Sequence, residues 1–157
     1  MDLKIEVIVL PVSDTDQAKA FYEKLGFRLD LDTGAGGNFR AVHFTPPGSG
    51  CSIMFGEGMT AADPGSVQGL YLIVSDIEAA RAELADRGID VSDVFHDAGG
   101  VLFHGHEGGD VTHRLEGQER LAGRHPEGAT YSSYATFSDP DGNGWVLQEI
   151  TERFPGR

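Results

Sequence analysis

Residues 5–12, IEVIVLPV, form an apolar run rich in β-branched side chains, which predicts a strand. The period then changes. Ala18, Phe21, Tyr22 and Leu25 fall at i, i+3, i+4 and i+7, the apolar stripe of a helix lying on a sheet. Asp14 is placed to N-cap that helix, Asp16 suits its first turn, and Gly26 stops it. Strands follow over 27–31, 39–45 and 51–55, separated by a loop at 34–37 and a Pro-Gly turn at 46–50. The first module is therefore βαβββ over residues 4–55. Residues 56–68, broken by Gly56, Gly58, Pro64 and Gly65, have no apolar period and read as a linker.

The pattern then returns. Val12-Ser13-Asp14 aligns with Val74-Ser75-Asp76, 62 positions on, and Ala18, Ala20 and Gly26 align with Ala80, Ala82 and Gly88. The same strand, cap, helix and stop glycine in register predict an internal repeat, with module two spanning 69–150. The later strands repeat at an offset of 94, which sets Cys51 under Trp145. The two offsets differ by 32, so module two carries an insertion after its second strand, a strand expected at about 90–95. The insertion, 98–129, holds eight glycines and His104, His106, His113 and His125. A loop of that length is either functional, such as a lid, or an irregular excursion.

Composition narrows the function classes. A formal net charge of −13 disfavours nucleic acid and anionic membranes as partners, and slightly favours a cationic ligand. Cys51 is the only cysteine, which excludes an intramolecular disulfide and fits a reducing cytoplasm. No apolar run reaches membrane-spanning length, and no signal peptide is evident.

Residues 137–150, FSDPDGNGWVLQEI, read as strand, tight turn and strand. Together with FYEKLGF at 21–27 and the tandem βαβββ pattern, this hairpin resembles the vicinal oxygen chelate superfamily: glyoxalase I, bleomycin-resistance proteins and extradiol dioxygenases. The resemblance implies an α+β fold in which two modules lie side by side and their strands curl into an open trough. It also implies a homodimer. In metalloenzymes of that family a divalent ion sits in the trough, held by His, Glu or Gln at fixed strand positions. Those positions fall here on Val7, Ser52, Gly69 and Val146, none of which carries an imidazole or a carboxylate. The expectation is therefore no metal and no cofactor. Glu6 and Gln68 stand one residue off, and Glu149 shares a face with Trp145 and Leu147. A separate site built on the His104-Gly105-His106 pair would rest on a glycine-rich loop that holds ligands poorly.

The trough is expected to present Val7, Val9, Ser52, Met54, Gly69, Tyr71, Val146 and Gln148, with His43 placed opposite Ser52 and Phe137 opposite Val146. That is an apolar, aromatic surface with a few polar points, as small-molecule pockets are built. Cys51 reads as a structural thiol. No GxSxG, P-loop or strand-following GxGxxG is present. Three readings stand at this point. One is metal-free binding of a small aromatic or cationic molecule. The second is a glyoxalase-type lyase or isomerase, or a dioxygenase, either metal-independent, with His43 or an insertion histidine as the acid or base, or with a non-standard site. The third is a protein-interaction module.

Overall fold

The computed structural model describes residues 1–34, 36–97 and 120–155. The fold is α+β, with two open mixed sheets and two helices among the described residues. The chain divides into two compact units. Unit 1 comprises residues 1–67 together with 139–143, and unit 2 comprises 68–138 together with 144–157.

Unit 1 holds β1 (Val7–Val9), α1 (Thr15–Leu25), β2 (Arg28–Gly34), β3 (Arg40–Thr45) and β4 (Ser52–Phe55), with sheet order β1-β4-β3-β2. The β1–β4 pair is parallel and the other two are antiparallel. Helix α1 starts where Asp14 accepts a 2.9 Å bond from the Gln17 amide, and ends where Gly26 turns left-handed at φ 94°. Its buried stripe is Ala18, Tyr22 and Leu25, with Phe21 half-buried. Tyr22 packs its ring 5.4–6.2 Å from those of Phe27, Phe44 and Phe55, so Phe44 and Phe55 face the helix.

The turn 139–143 completes this unit. The Asp139 carboxylate accepts five hydrogen bonds: from the Asp141, Gly142 and Asn143 amides, from Asn143 Nδ2 at 2.8 Å, and from the Tyr22 hydroxyl at 2.9 Å. Asn143 also donates to the Pro11 carbonyl and accepts from the Val67 amide. Asp141 accepts from the Ser13 amide and hydroxyl. Gly65 has φ 75°, and a Cβ there would stand 2.0 Å from the Asp141 carbonyl oxygen, so glycine is required.

Unit 2 repeats the order with one addition: β5 (Leu70–Val74), α2 (Ile77–Asp86), β6 (Phe95–Asp97), β7 (Arg120–Ala122), β8 (Ser133–Ser138) and β9 (Gly144–Glu149), ordered β5-β9-β8-β6-β7. Asp76 caps α2 as Asp14 caps α1, accepting from the Ala79 amide at 2.9 Å. The side chain of Glu149, 1% exposed, accepts from the Ile77 amide, which puts Glu149, Leu147 and Trp145 on the helix face. Arg124 Nε donates to both Glu149 oxygens, at 3.0 and 2.7 Å. These bonds hold the Arg124 guanidinium pKa above its ordinary value.

One expectation is corrected here. The second strand of module two does not run over 90–95: Val91 makes a single bridge to Phe137, and β6 begins only at Phe95. Part of the expected insertion lies within the described residues. Residues 120–122 form an edge strand on β6, and His125 stacks edge-on to the buried His96 at 5.4 Å. His104, His106 and His113 lie outside the described residues.

Candidate functional site

In each unit one sheet face is covered by its helix. The opposite face carries the residues expected to meet a ligand, and each unit is taken by itself.

In unit 1, Val7 pairs with Ser52, Val9 with Met54, and Met54 with His43. Strand alternation then puts Val7, Val9, His43, Ser52 and Met54 on the face away from Phe44 and Phe55. The expected shared face is observed, but the expected partner is not. His43 lies opposite Met54, two residues from Ser52, because the β3–β4 connection holds two residues more than the assumed register allows. Thr45 takes the place beside Ser52, with hydroxyl oxygens 2.7 Å apart. A bulge between Leu29 and Leu31 re-aims Asp30, whose carboxylate accepts from the Thr45 hydroxyl and from Arg28 Nε. The Thr45 bond, then the Arg28 bond, holds the Asp30 carboxyl below its usual pKa. Nε2 of His43 is buried without a hydrogen-bond partner.

In unit 2, Tyr71 pairs with Val146, Val146 with Thr136, and Gln148 with Tyr134. Phe137 pairs with Trp145 instead of Val146, and their rings stack at an interplanar angle of 3°. Phe137 is therefore on the helix face, and Thr136 stands where Phe137 was expected. The cause is turn length. Eight residues separate paired Phe44 and Ile53, but seven separate paired Phe137 and Trp145, and one residue inverts a strand's faces. Gly69 lies just before β5 at φ 73° and offers no side chain. The face is dominated by an apolar cluster of Phe95, Tyr134 and Val146, with Tyr71 packed against it. Phe95 and Tyr134 stack at 5.8 Å, and the Arg120 guanidinium lies 4.5 Å over the Phe95 ring. Tyr131, at φ 66°, turns its carbonyl to accept from the Tyr134 hydroxyl and from Gln148 Nε2.

The donor set does not fit a divalent metal. Val7 and Val146 are hydrocarbon, Gly69 has no side chain, and the Ser52 hydroxyl is engaged with Thr45. Among the described residues no group of three or more His, Cys, Asp or Glu is placed to hold a metal ion. Sequence reasoning missed Asp30, Thr45, Phe95, Tyr134 and Thr136. The bulge and the shorter turn that place them leave no periodic signal. A separate cleft of about 550 Å³ at the start of α1 is polar, lined by Asp14, Asp16, Asn38, Glu57 and Thr60 among others. Asp14 there is used as a cap, and Asp16 pairs with Arg40 at 2.7 Å.

Two open sheets, each with a helix on one face, define the fold of glyoxalase-like and bleomycin-resistance-like proteins. Residues 4–104 match the family model of the Glyoxalase/Bleomycin resistance protein/Dioxygenase superfamily, and the chain belongs to that superfamily. No curated protein matches it. Among solved structures it is similar to TnmS3, an antibiotic binding protein from Streptomyces sp. CB03234, at 29% identity and a TM-score of 0.63. That match covers 95% of this chain and 97% of the other. A glyoxalase/bleomycin resistance protein from the same organism is 29% identical, with a TM-score of 0.60 and coverage of 93% and 100%. A superfamily member from Sphaerobacter thermophilus DSM 20745 is 26% identical, with a TM-score of 0.62 and coverage of 94% and 98%. No helix of the described residues is long and apolar enough to cross a membrane.

Proposed function

We propose that this protein binds a small organic molecule, aromatic or cationic, on the helix-free faces of its sheets, without a metal ion. The observation that carries the reading is the composition of those faces. Val7, Val9 and Met54 in unit 1 and Phe95, Tyr134, Tyr71 and Val146 in unit 2 are apolar or aromatic, interrupted by a few polar atoms. The similarity to an antibiotic binding protein at 29% identity supports the same reading. The absence of imidazole or carboxylate at Val7, Ser52, Gly69 and Val146 weighs against the metal-assisted lyase and dioxygenase chemistries of the superfamily.

The energetics suit modest affinity. Burying about 200 Å² of ligand apolar surface at roughly 25 cal/mol per Å² gives on the order of 5 kcal/mol before association costs. Calorimetry on chelator-treated protein, with elemental analysis of the untreated sample, tests the proposal. Binding of aromatic probes should be unchanged by chelator. Stoichiometric zinc, iron, nickel or manganese that is required for binding would overturn it.

A further inference from the structure

The proton inventory of the unit 1 face selects the ligand's chemistry. A hydroxyl carries one proton and two acceptor sites. The Thr45 proton goes to the Asp30 carboxylate, which can only accept. In the 2.7 Å contact between Thr45 and Ser52, Ser52 must therefore be the donor. Its single proton is then spent, and what Ser52 has left is lone pairs. Beyond Asp30, whose charge is met in part by Arg28 Nε at 2.6 Å, the relay Ser52→Thr45→Asp30 runs in one direction only.

His43 stands on the same face, two residues before Thr45 and directly paired with Met54. Its Nε2 is buried and unpartnered. An orphaned buried N–H is rarer than an orphaned acceptor, so the tautomer with its proton on Nδ1 and a lone pair at Nε2 is the one that suits this place. The face thus offers hydrogen-bond acceptors at two points, His43 Nε2 and Ser52 Oγ, with Val9, Met54 and Leu31 as apolar neighbours.

We infer that this face recognises a ligand through donors, a protonated amine or a hydroxyl carried on an aromatic body, received by His43 Nε2 and Ser52 Oγ. A ligand carboxylate or carbonyl at that place would set acceptor against acceptor, and the net charge of −13 repels anions further. His43 is then a specificity-determining residue. The inference rests on the metal-free binding reading, and deepens it.

The test uses three probes of one shape: 1-naphthylmethylamine, 1-naphthylmethanol and 1-naphthoate, titrated by calorimetry into chelator-treated protein. The amine and the alcohol should each bind at least tenfold more tightly than the carboxylate. In protein labelled with nitrogen-15 at histidine, the His43 Nε2 resonance should shift on adding either donor probe, and not on adding naphthoate. His43→Leu should reduce the preference to less than threefold, and His43→Gln, which keeps an acceptor, should restore part of it. Thermal unfolding of each variant shows whether it is folded. If no probe binds, both the inference and the binding reading fall. If all three bind alike, if naphthoate binds best, or if the Nε2 resonance is indifferent to the amine and the alcohol, the donor inference alone is overturned.

Discussion

Replacing Asp139 by Asn should destabilise the protein by about 3 kcal/mol, although the two side chains have the same shape. The carboxylate accepts five hydrogen bonds, three at Oδ1 from main-chain amides and two at Oδ2. An amide oxygen at Oδ1 keeps the first three, weakened because charge-assisted bonds are roughly twice as strong as neutral ones. The NH₂ group then points at the Tyr22 hydroxyl and at Asn143 Nδ2. Tyr22 can rotate its proton away and accept. Asn143 cannot: flipping its amide would set its oxygen against the Pro11 carbonyl and lose the bond from the Val67 amide. Asn143 is fully buried, so a stranded donor there costs about 1–3 kcal/mol, and the weakened amide bonds add a further share. At about 2–4 °C per kcal/mol for a chain of this size, the midpoint should fall by roughly 6–12 °C. Tyr22→Phe removes one donor from a carboxylate that keeps its other four, and should cost about 1 kcal/mol. Urea unfolding followed by circular dichroism measures both. Asp139→Asn within 1 kcal/mol of the wild type, or Tyr22→Phe costing more than Asp139→Asn, would refute the reasoning.

The Arg124–Glu149 pair should behave as a unit. Losing one partner of a buried pair costs about 3–5 kcal/mol. The Arg124 side chain is 40% exposed, so water screens part of the loss, and Arg124→Ala should lower the unfolding midpoint by less than the loss of a fully buried pair would. In a Glu149→Gln background the same change should cost much less, and equal costs in a double-mutant cycle would refute the coupling. Burial, and to a lesser degree the Glu6 charge, push the Cys51 thiol pKa above its ordinary value, so less thiolate is present at any given pH below it. Alkylation by iodoacetamide at pH 8 should be several-fold slower than for free cysteine and should accelerate as the pH rises. A rate that matches free cysteine at pH 8 would contradict this.

What could be read in the sequence was local. Asp14 and Asp76 cap their helices because capping is decided within four residues, and the stripe Ala18, Tyr22, Leu25 is buried as its spacing requires. The VSD and DPDGN motifs were visible as words, but not their meeting. Ser13 binds Asp141 across 128 residues, and no periodicity encodes such a bond. The faces of β4 and β9 were legible because an even shift preserves a strand's faces. The face of β8 was not, because a turn shorter by one residue carried Phe137 to the helix side. Asp30 and Thr45 escaped notice because a bulge brings them together.

The five residues 139–143 belong to unit 1, though 71 positions separate them from Val67. A ribosome delivers the chain from its N-terminus, and domains usually close as they emerge. Here the first unit to be made is among the last to be finished. Until Asp139 and Asn143 leave the exit tunnel, the Tyr22 hydroxyl, the Pro11 carbonyl and the Val67 amide lack the partners they have in the native state. The loop closed by that event is long, and its entropic cost falls late in synthesis. A gene split in the linker after residue 67 would accordingly yield a first fragment lacking part of its own interior. The tandem repeat reads as two beads on a string, yet the hydrogen bonds make it a chain that cannot be cut at the string.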